Sequence, residues 1–389
     1  MSAKIPRDPA NDYTAEAAAA RREFVAQRSG AKLTHTGSFS FDPALTRGNI
    51  EHFTGAVQVP LGLAGPLKVN GEHAQGEFYV PMATTEGTLV ASYNRGMRLT
   101  REAGGIAVSV VDDAMQRAPV FGFANARVAR DFGVWIEQNL EAIRAAAEAT
   151  TRAGKLRNIE QYAAARFRYL RFNYTTGDAA GQNLCGKATH AACEWIKANW
   201  PGEIQGYSLS GNMDTDKKPS HINILHSRGK RVIAECTVPD RLLRDLMGID
   251  AAGLFSRRIM SMTGAFMAGS LNNGAHAANG IAATFIATGQ DAANVAEACV
   301  GIAVGELRDN AYYFSITLPC LIVATYGGGT GLPTQRECLE MMDCYGEGKA
   351  RKLAEIIGAT VLAGELSLAS AVAAGDWVSS HEKYGRNRP

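Results

Sequence analysis

The sequence predicts an α+β protein in which a subdomain is inserted into a larger domain. Three observations carry that expectation. At 389 residues the chain exceeds what one hydrophobic core usually organises, so two domains are expected. Helical and strand-like stretches mix without a regular β-α-β-α beat. No internal repeat or low-complexity linker is visible.

In chain order, residues 1–50 read as a polar, Ala-rich helix and a Ser/Thr/Gly loop, an arm expected to pack on a neighbouring molecule. "GAVQVPLGLAGPLKVNGEHAQGEFYV" has the Gly and Pro punctuation of short strands, and a helix is expected from "TTEG". "GIAVSVVDDAMQRAPVFGFA" is strand-like. The stretch "FGVWIEQNLEAIRAAAEATTRAGKLRNIEQYAAARF" reads as helix-rich, with Trp135, Ile136, Leu140 and Ile143 at helical spacing. "YLRFNY" is a strand, and "TTGDAAGQNLCGKATHAACEWIKANW" is a Gly-rich turn entering a helix. "RVIAECTV" is apolar and β-branched enough for a buried strand. Helices are expected through "GAFMAGSLNNGAHAANGIAATFIATGQDAANVAEACV". An apolar strand, "FSITLPCLIVATY", leads into "GGGTGLP". A long Ala-rich helix, "LAGELSLASAVAAGDWV", follows.

Composition narrows the function. The chain is 46% hydrophobic and 20% charged, as ordinary globular proteins are, and its net charge of +2 gives no basic field for nucleic acid. The first residues lack the apolar core of a secretory signal, and no uninterrupted apolar run of about eighteen residues or more suggests a membrane span. A cytoplasmic address is expected. The seven cysteines are odd in number and scattered, which fits a reducing compartment. Cys338 and Cys344 match no common zinc-ligand spacing, so no metal is expected.

Several motifs bear chemistry, each with a plainer reading beside it. In "SGNMDTDKKP", Asp214, Asp216, Lys217 and Lys218 precede the buried strand; the lysines are either a solvated edge or an ammonium poised over a developing oxyanion. "GQNLCGKA" approaches a phosphate-binding loop, but Ala188 stands where the metal-binding hydroxyl belongs. "GDAAGQN" puts Asp178 and Asn183 at a helix start suited to an anionic cofactor, or merely to a tight turn. "YGGGTGL" lacks dinucleotide-fold spacing, yet three glycines permit close backbone approach to a ligand. Glu86 is a helix cap, or a proton donor whose pKa is raised where an apolar context closes on it. Asp291 reads as a cap or an acid, and His381 as a surface residue or a proton carrier near neutral pH.

Taken together, "VPLGLAGPL", "PMATTEGTLVASYNRG", "GDAAGQN", "SGNMDTDKKP", "AHAAN", "GQDAA", "YGGGTGLP", "GELSLASAVAAG" and "SH…R" resemble the hydroxymethylglutaryl-CoA (HMG-CoA) reductase family. The likeness runs from about Glu51 onward, and these blocks occur in the family's order. The DKKP and Ser-His variants resemble the class that includes the eukaryotic catalytic domains, without their membrane anchor.

That resemblance implies an oxidoreductase reducing the HMG-CoA thioester to mevalonate, in the mevalonate pathway of isoprenoid biosynthesis, by two hydride transfers from NADPH. It implies four catalytic residues: Lys217 as the oxyanion-stabilising ammonium, Glu86 as proton donor, Asp291 linking the two, and His381 protonating the CoA thiolate. Ser210 and Lys218 are expected on the substrate carboxylate, Arg117, His276 and Asn279 on the hydroxymethylglutaryl group, and Asn94 and Arg95 near CoA. For NADPH, Arg152 would clamp the 2′-phosphate beside Thr151, with Asp178, Gly181, Asn183, Gly327, Gly328 and Gly329 along the dinucleotide. The implied layout is an arm (1–50), a substrate- and CoA-binding domain around a long central helix (51–118 and 208–389), and an inserted ferredoxin-like NADP-binding subdomain (119–207). The family's site forms between subunits, so a homodimer or higher homo-oligomer is implied, with neither nucleic acid nor membrane as partner.

The chain also departs from the family. "ENVIG" reads "EHFTG" here, the stretch before "HAAN" is one residue shorter, and Met260 stands for a substrate-contacting lysine, with Arg257 and Arg258 nearby. The Met-rich dinucleotide turn has become "DAAGQN". These changes bear on acyl-group specificity. Two other readings stay open: a nucleotide-dependent kinase built on "GQNLCGKA", and a non-catalytic acyl-CoA-binding relative.

Overall fold

Thr14 opens the first helix, α1 (Ala15–Ser29): its hydroxyl accepts the Ala17 N–H, and Gly30 closes the helix in the left-handed conformation. Arg21, fully buried in α1, donates to the carbonyls of Pro6, Asp12 and Phe53. The arm, expected against a neighbour, is thus tied to its own chain. The computed structural model describes residues 4–375.

The hairpin β1 (Leu61–Gly71) and β2 (Gln75–Ala83) leads into α2 (Leu89–Glu102), and β3 (Ile106–Arg117) returns parallel to β1. Next come β4 (Val120–Gly122), α3 (Ala126–Gln138), α4 (Leu140–Glu148), β5 (Lys155–Ala164), β6 (Phe167–Thr175), α5 (Gln182–Asn199) and β7 (Gly206–Ser208). Four of these strands lie in the order β7-β4-β6-β5, every pair antiparallel. With the intervening helices this is the ferredoxin-like β-α-β-β-α-β arrangement. Its core gathers Phe121, Phe132, Phe172, Cys185 and Ile196.

The chain continues through α6 (His221–His226), β8 (Gly229–Pro239), α7 (Asp240–Met247), α8 (Ala251–Met267), α9 (Ala277–Thr288) and α10 (Val295–Ala298). It ends in β9 (Ile302–Arg308), β10 (Ala311–Leu321), α11 (Pro333–Met341) and α12 (Ala350–Ala374). β3 joins the two halves: Ala107–Ala114 pair with β8, while Met115–Arg117 pair with β6.

α12 is the long central helix. Every residue from Leu353 to Ser367 is buried, as expected of a helix that is apolar all round. By length and composition it could cross a membrane, but 78% of its apolar window is buried inside this fold. Its two buried carboxylates each bind backbone. Glu355 accepts the N–H groups of Glu72, His73 and Ala74 at the β1–β2 turn. Glu365 accepts those of Ala275, His276 and Ala277 at the start of α9. Gly96 lets α2 press against α12, since a Cβ there would sit 1.8 Å from the Ala363 carbonyl oxygen.

Two local expectations are corrected. "KLRNIEQYAA", read within a helix-rich stretch, is β5. "IAVGELR", between the expected helical run and the expected strand "FSITLPCLIVATY", adds the strand β9. The strand after DKKP is preceded by the short helix α6, which Ser220 caps by accepting the Asn223 N–H.

Candidate functional site

The loop between β7 and α6 carries Lys217. Three of its non-glycine residues are left-handed: Asn212 (φ 68°), Thr215 (φ 48°) and Lys217 (φ 57°). Side chains resist that conformation, so surrounding contacts must hold it. Buried Asp214 bonds Arg117 at 3.2 Å, and fully buried Arg228 bonds Asp216 at 2.6 Å. The Thr215 hydroxyl meets that of Ser220 at 2.8 Å and accepts from Asn223 at 2.5 Å. Lys218 folds back onto the Asp216 carbonyl at 3.1 Å.

The loop aims the Lys217 ammonium at Asp291, with Nζ 2.9 Å from the carboxylate. The Asp291 hydrogen bond, against opposing desolvation and with help from the charges of Asp291, Asp216 and Glu297, raises the lysine's pKa above its ordinary value. It therefore stays an ammonium. Asp291 also caps the 3₁₀ turn after α9, accepting the Ala293 N–H at 3.1 Å. Asp291 thus makes a cap bond and an ion pair with Lys217 at once.

Glu86 lies before α2 on an exposed loop, not in the closing apolar context expected of it. Thr88 beyond it is left-handed, and the first buried side chain of the helix is Leu89, so the loop faces solvent in the single chain. His276 is buried, stacks on Tyr93 at 4.7 Å between ring centroids, and meets Asn279 at 3.1 Å through Nδ1. Burial lowers its pKa to about 4, so the ring is neutral, and its buried Nε2 has no partner among the described residues. Asn94 accepts the Gly65 N–H at 2.7 Å, and Arg95 bonds the Ser367 hydroxyl and carbonyl. Asn94 also lines a cleft of about 360 Å³ with Tyr79, Arg98 and Arg101. Ser210 and Lys218 are exposed.

On the cofactor side, the Thr151 hydroxyl accepts the Gly154 N–H at 3.0 Å and closes the turn that holds exposed Arg152. Gly154 packs on Leu184 in the first turn of α5, since a Cβ there would meet that side chain at 2.4 Å. A guanidinium loop thus adjoins the start of an 18-residue helix whose N-cap, left-handed Gly181, supplies no side chain. A cation beside uncapped N–H groups fits a phosphate-bearing cofactor. Asn183 is exposed in that first turn, and Gly327 (φ 79°) and Gly328 (φ 59°) expose backbone after β10. Gly329 meets Gly289 so closely that a Cβ would lie 2.6 Å from its carbonyl oxygen. Asp178 is engaged elsewhere: its carboxylate accepts the Gly348 and Ala350 N–H groups at the start of α12.

Gly186 and Lys187 fall inside α5, so "GQNLCGKA" forms no phosphate-cradling loop and the kinase reading is set aside. His381 lies outside the described residues. Among the described residues one group could hold a metal by spacing, Glu72, His73 and Glu355, but the Glu355 oxygens already serve three backbone donors. Sequence reasoning missed Arg228, Glu297, Asn294 and Gln182, which lie beneath the lysine loop. No motif marks them, and only the fold brings them together.

A family model described as hydroxymethylglutaryl-coenzyme A reductase matches residues 17–386. The chain is 44% identical over 372 residues to the 3-hydroxy-3-methylglutaryl-coenzyme A reductase of Methanocaldococcus jannaschii, covering 94% of this chain and 92% of that protein. It is also 44% identical over 374 residues to that of Methanothermobacter thermautotrophicus, covering 95% and 94%. In fold it is similar to the class II enzyme of Streptococcus pneumoniae solved bound to NADPH in open conformations. That match has a TM-score of 0.68 at 22% identity, over 85% of this chain and 89% of that one.

Proposed function

This chain belongs to the hydroxymethylglutaryl-coenzyme A reductase family, and on that premise we propose that it reduces HMG-CoA to mevalonate with two NADPH. The thioester takes up two hydrides and two protons in all, and CoA leaves as the thiol. Bound NADPH supplies the hydride of each reduction. The observation that carries the reading is the Lys217–Asp291 pair, held at 2.9 Å on a loop that buried contacts force into shape.

The Lys217 ammonium stabilises the oxyanion formed on the thioester carbonyl, and Asp291 keeps the lysine protonated and aimed. Glu86 delivers the alcohol proton and His381 the thiolate proton. His276, neutral and with a buried Nε2 that has no partner among the described residues, offers the acyl group a hydrogen bond rather than a charge. Arg152 and the open end of α5 grip the NADPH phosphates. All seven cysteines are free, which supports a reducing, cytoplasmic setting.

A second copy of the chain completes the site. Glu86 is solvent-facing in one chain, and α8 exposes Ile259, Met260, Phe266 and Met267, an apolar face suited to a symmetric partner. Light scattering of active enzyme is expected to give at least twice the chain mass; a fully active monomer contradicts this. The central test follows reduced-nicotinamide absorbance with HMG-CoA, with NADPH and NADH in parallel. Oxidation of NADPH with release of free thiol is expected. Acyl-CoA binding without any oxidation would make the chain a non-catalytic relative.

A further inference from the structure

We propose that Glu297 is a positioning residue for Lys217, acting through Arg228 and Asp216. Asp291 takes the Lys217 Nζ at 2.9 Å. Glu297, on the short helix that follows, pairs with Arg228, which in turn holds Asp216, the residue before Lys217. One stretch of chain, residues 291–297, therefore bears both on where the lysine sits and on where its ammonium points.

The carboxylate that does this is itself rigidly placed. Glu297 and Arg228 are both fully buried, with Arg228 Nε 3.0 Å from Glu297 Oε2. The Asn294 amide donates to Oε1 at 2.6 Å. Arg228 also reaches Asp216 through Nη2 at 2.6 Å and donates to the Gln116 carbonyl at 3.2 Å. Gln182, in the first turn of α5, donates to Asn294 at 3.1 Å and to Asp216 at 3.4 Å. Asp216, the residue before Lys217, is thus anchored to Arg228, which Glu297 faces in turn.

That arrangement answers what holds a lysine at φ 57°. A left-handed non-glycine residue persists only where its surroundings over-determine it. A buried ion pair adds little to stability on its own, because desolvation offsets its attraction. Its value here is geometric. Burial pushes the Glu297 carboxyl up to about 7, with Arg228, Asn294 and the Lys217 N–H opposing that rise and Asp216 adding to it. Cys320 on β10 also faces this carboxyl. When ionised, Glu297 adds negative potential at Lys217 beyond that of Asp291.

The inference rests on Lys217 being the oxyanion-stabilising ammonium, and the test separates the two claims. Glu297→Gln in the full chain keeps the shape but cannot accept hydrogen bonds on both of its terminal atoms. NADPH oxidation is measured with wild type alongside, and Lys217 reactivity is read independently by acetic anhydride labelling against pH, with mass spectrometry. The expected result is a fall in kcat of about tenfold or more with the NADPH KM within about twofold, the signature of lost transition-state stabilisation. Labelling of Lys217 should shift to lower pH by about half a unit or more as its anionic neighbour is lost. Wild-type kcat, or a wild-type labelling profile, in the folded variant overturns the proposal. Wild type that oxidises no NADPH defeats the functional reading instead, while the labelling shift still judges the positioning claim. If Glu297→Gln does not fold, the paired replacement Arg228→Met with Glu297→Leu removes both buried charges together and is judged by the same two readouts.

Discussion

The two halves of the site place a cation by opposite means. Lys217 is exposed, yet its loop is held at Asp214 by Arg117 and at Asp216 by Arg228, with Glu297 behind Arg228, so three other segments fix it. Arg152 is also exposed, but its loop is held by local turn hydrogen bonds, Gly154 to Thr151 and Thr151 to Glu148, and by packing on Leu184. The difference fits the chemistry proposed for each cation. Stabilising an oxyanion needs donors fixed before charge develops, because reorganising them during the reaction would return most of the benefit. Gripping a phosphate needs only a charged fork that can follow its ligand.

The same contrast separates two helix starts. Glu365, fixed in the core helix, fills the N-terminus of α9 with a buried carboxylate. The N-terminus of α5 has only Gly181 before it. Equivalent N–H groups are closed by a buried carboxylate in one case and have no side-chain cap in the other.

The sharpest way to break the comparison is to remove the fixed cation. Lys217→Ala should lower kcat by about a hundredfold or more, the scale of losing one preorganised oxyanion donor, with much less effect on substrate KM. Steady-state kinetics on the folded variant decide it. Near-normal turnover would mean that the buried anchoring serves stability alone.

A smaller effect is expected from the loosely held cation. Arg152→Ala should raise the NADPH KM by about tenfold, the low end for a charge-assisted contact because the side chain is exposed. NADH, with no 2′-phosphate, should be nearly unaffected, and kcat should hold. Equal weakening of both cofactors would make Arg152 structural and erase the contrast.

Legibility in the sequence followed the same divide. The residues proposed to meet ligands sit in quotable blocks, so Lys217, Asp291, His276 and Arg152 could be named as candidates from the chain alone. Their supports could not. Arg228 lies in "HSRGKRV" and Glu297 in "NVAEACV", neither with a pattern that tells a buried ion pair from two surface charges. The fold class was readable from helix and strand stretches that mix without a regular beat, and α12 from its long Ala-rich run, while its central place came from the family resemblance. β5 was not, because it is an edge strand paired only with β6 and its exposed "RNIEQYAA" lacks the alternation of a half-buried strand. β9 hid likewise, an edge paired only with β10 and mostly exposed.

The last expected effect is one of stability, what burying His276 costs in acid. His276 is buried against Tyr93, and desolvation lowers its pKa from 6.5 to about 4. Between those values the unfolded chain binds a proton that the folded chain refuses, so stability rises with pH across the window and is lost as pH falls from about 6.5 toward 4. For a shift of this size the loss is about 3 kcal/mol at most. Glu365 and Glu297 pull the other way, since burial raises both carboxyls and makes the folded chain hold protons the unfolded chain releases. The net slope of the wild type is therefore shallow, and the His276 share emerges only by difference. Urea unfolding of wild type and His276→Gln at several pH values isolates it. The wild type should lose stability relative to the variant as pH falls through that window, and hold a constant difference above about pH 7. Parallel curves throughout would show that His276 titrates alike in both states, and that the substrate side is as open to water as the turn that carries Arg152.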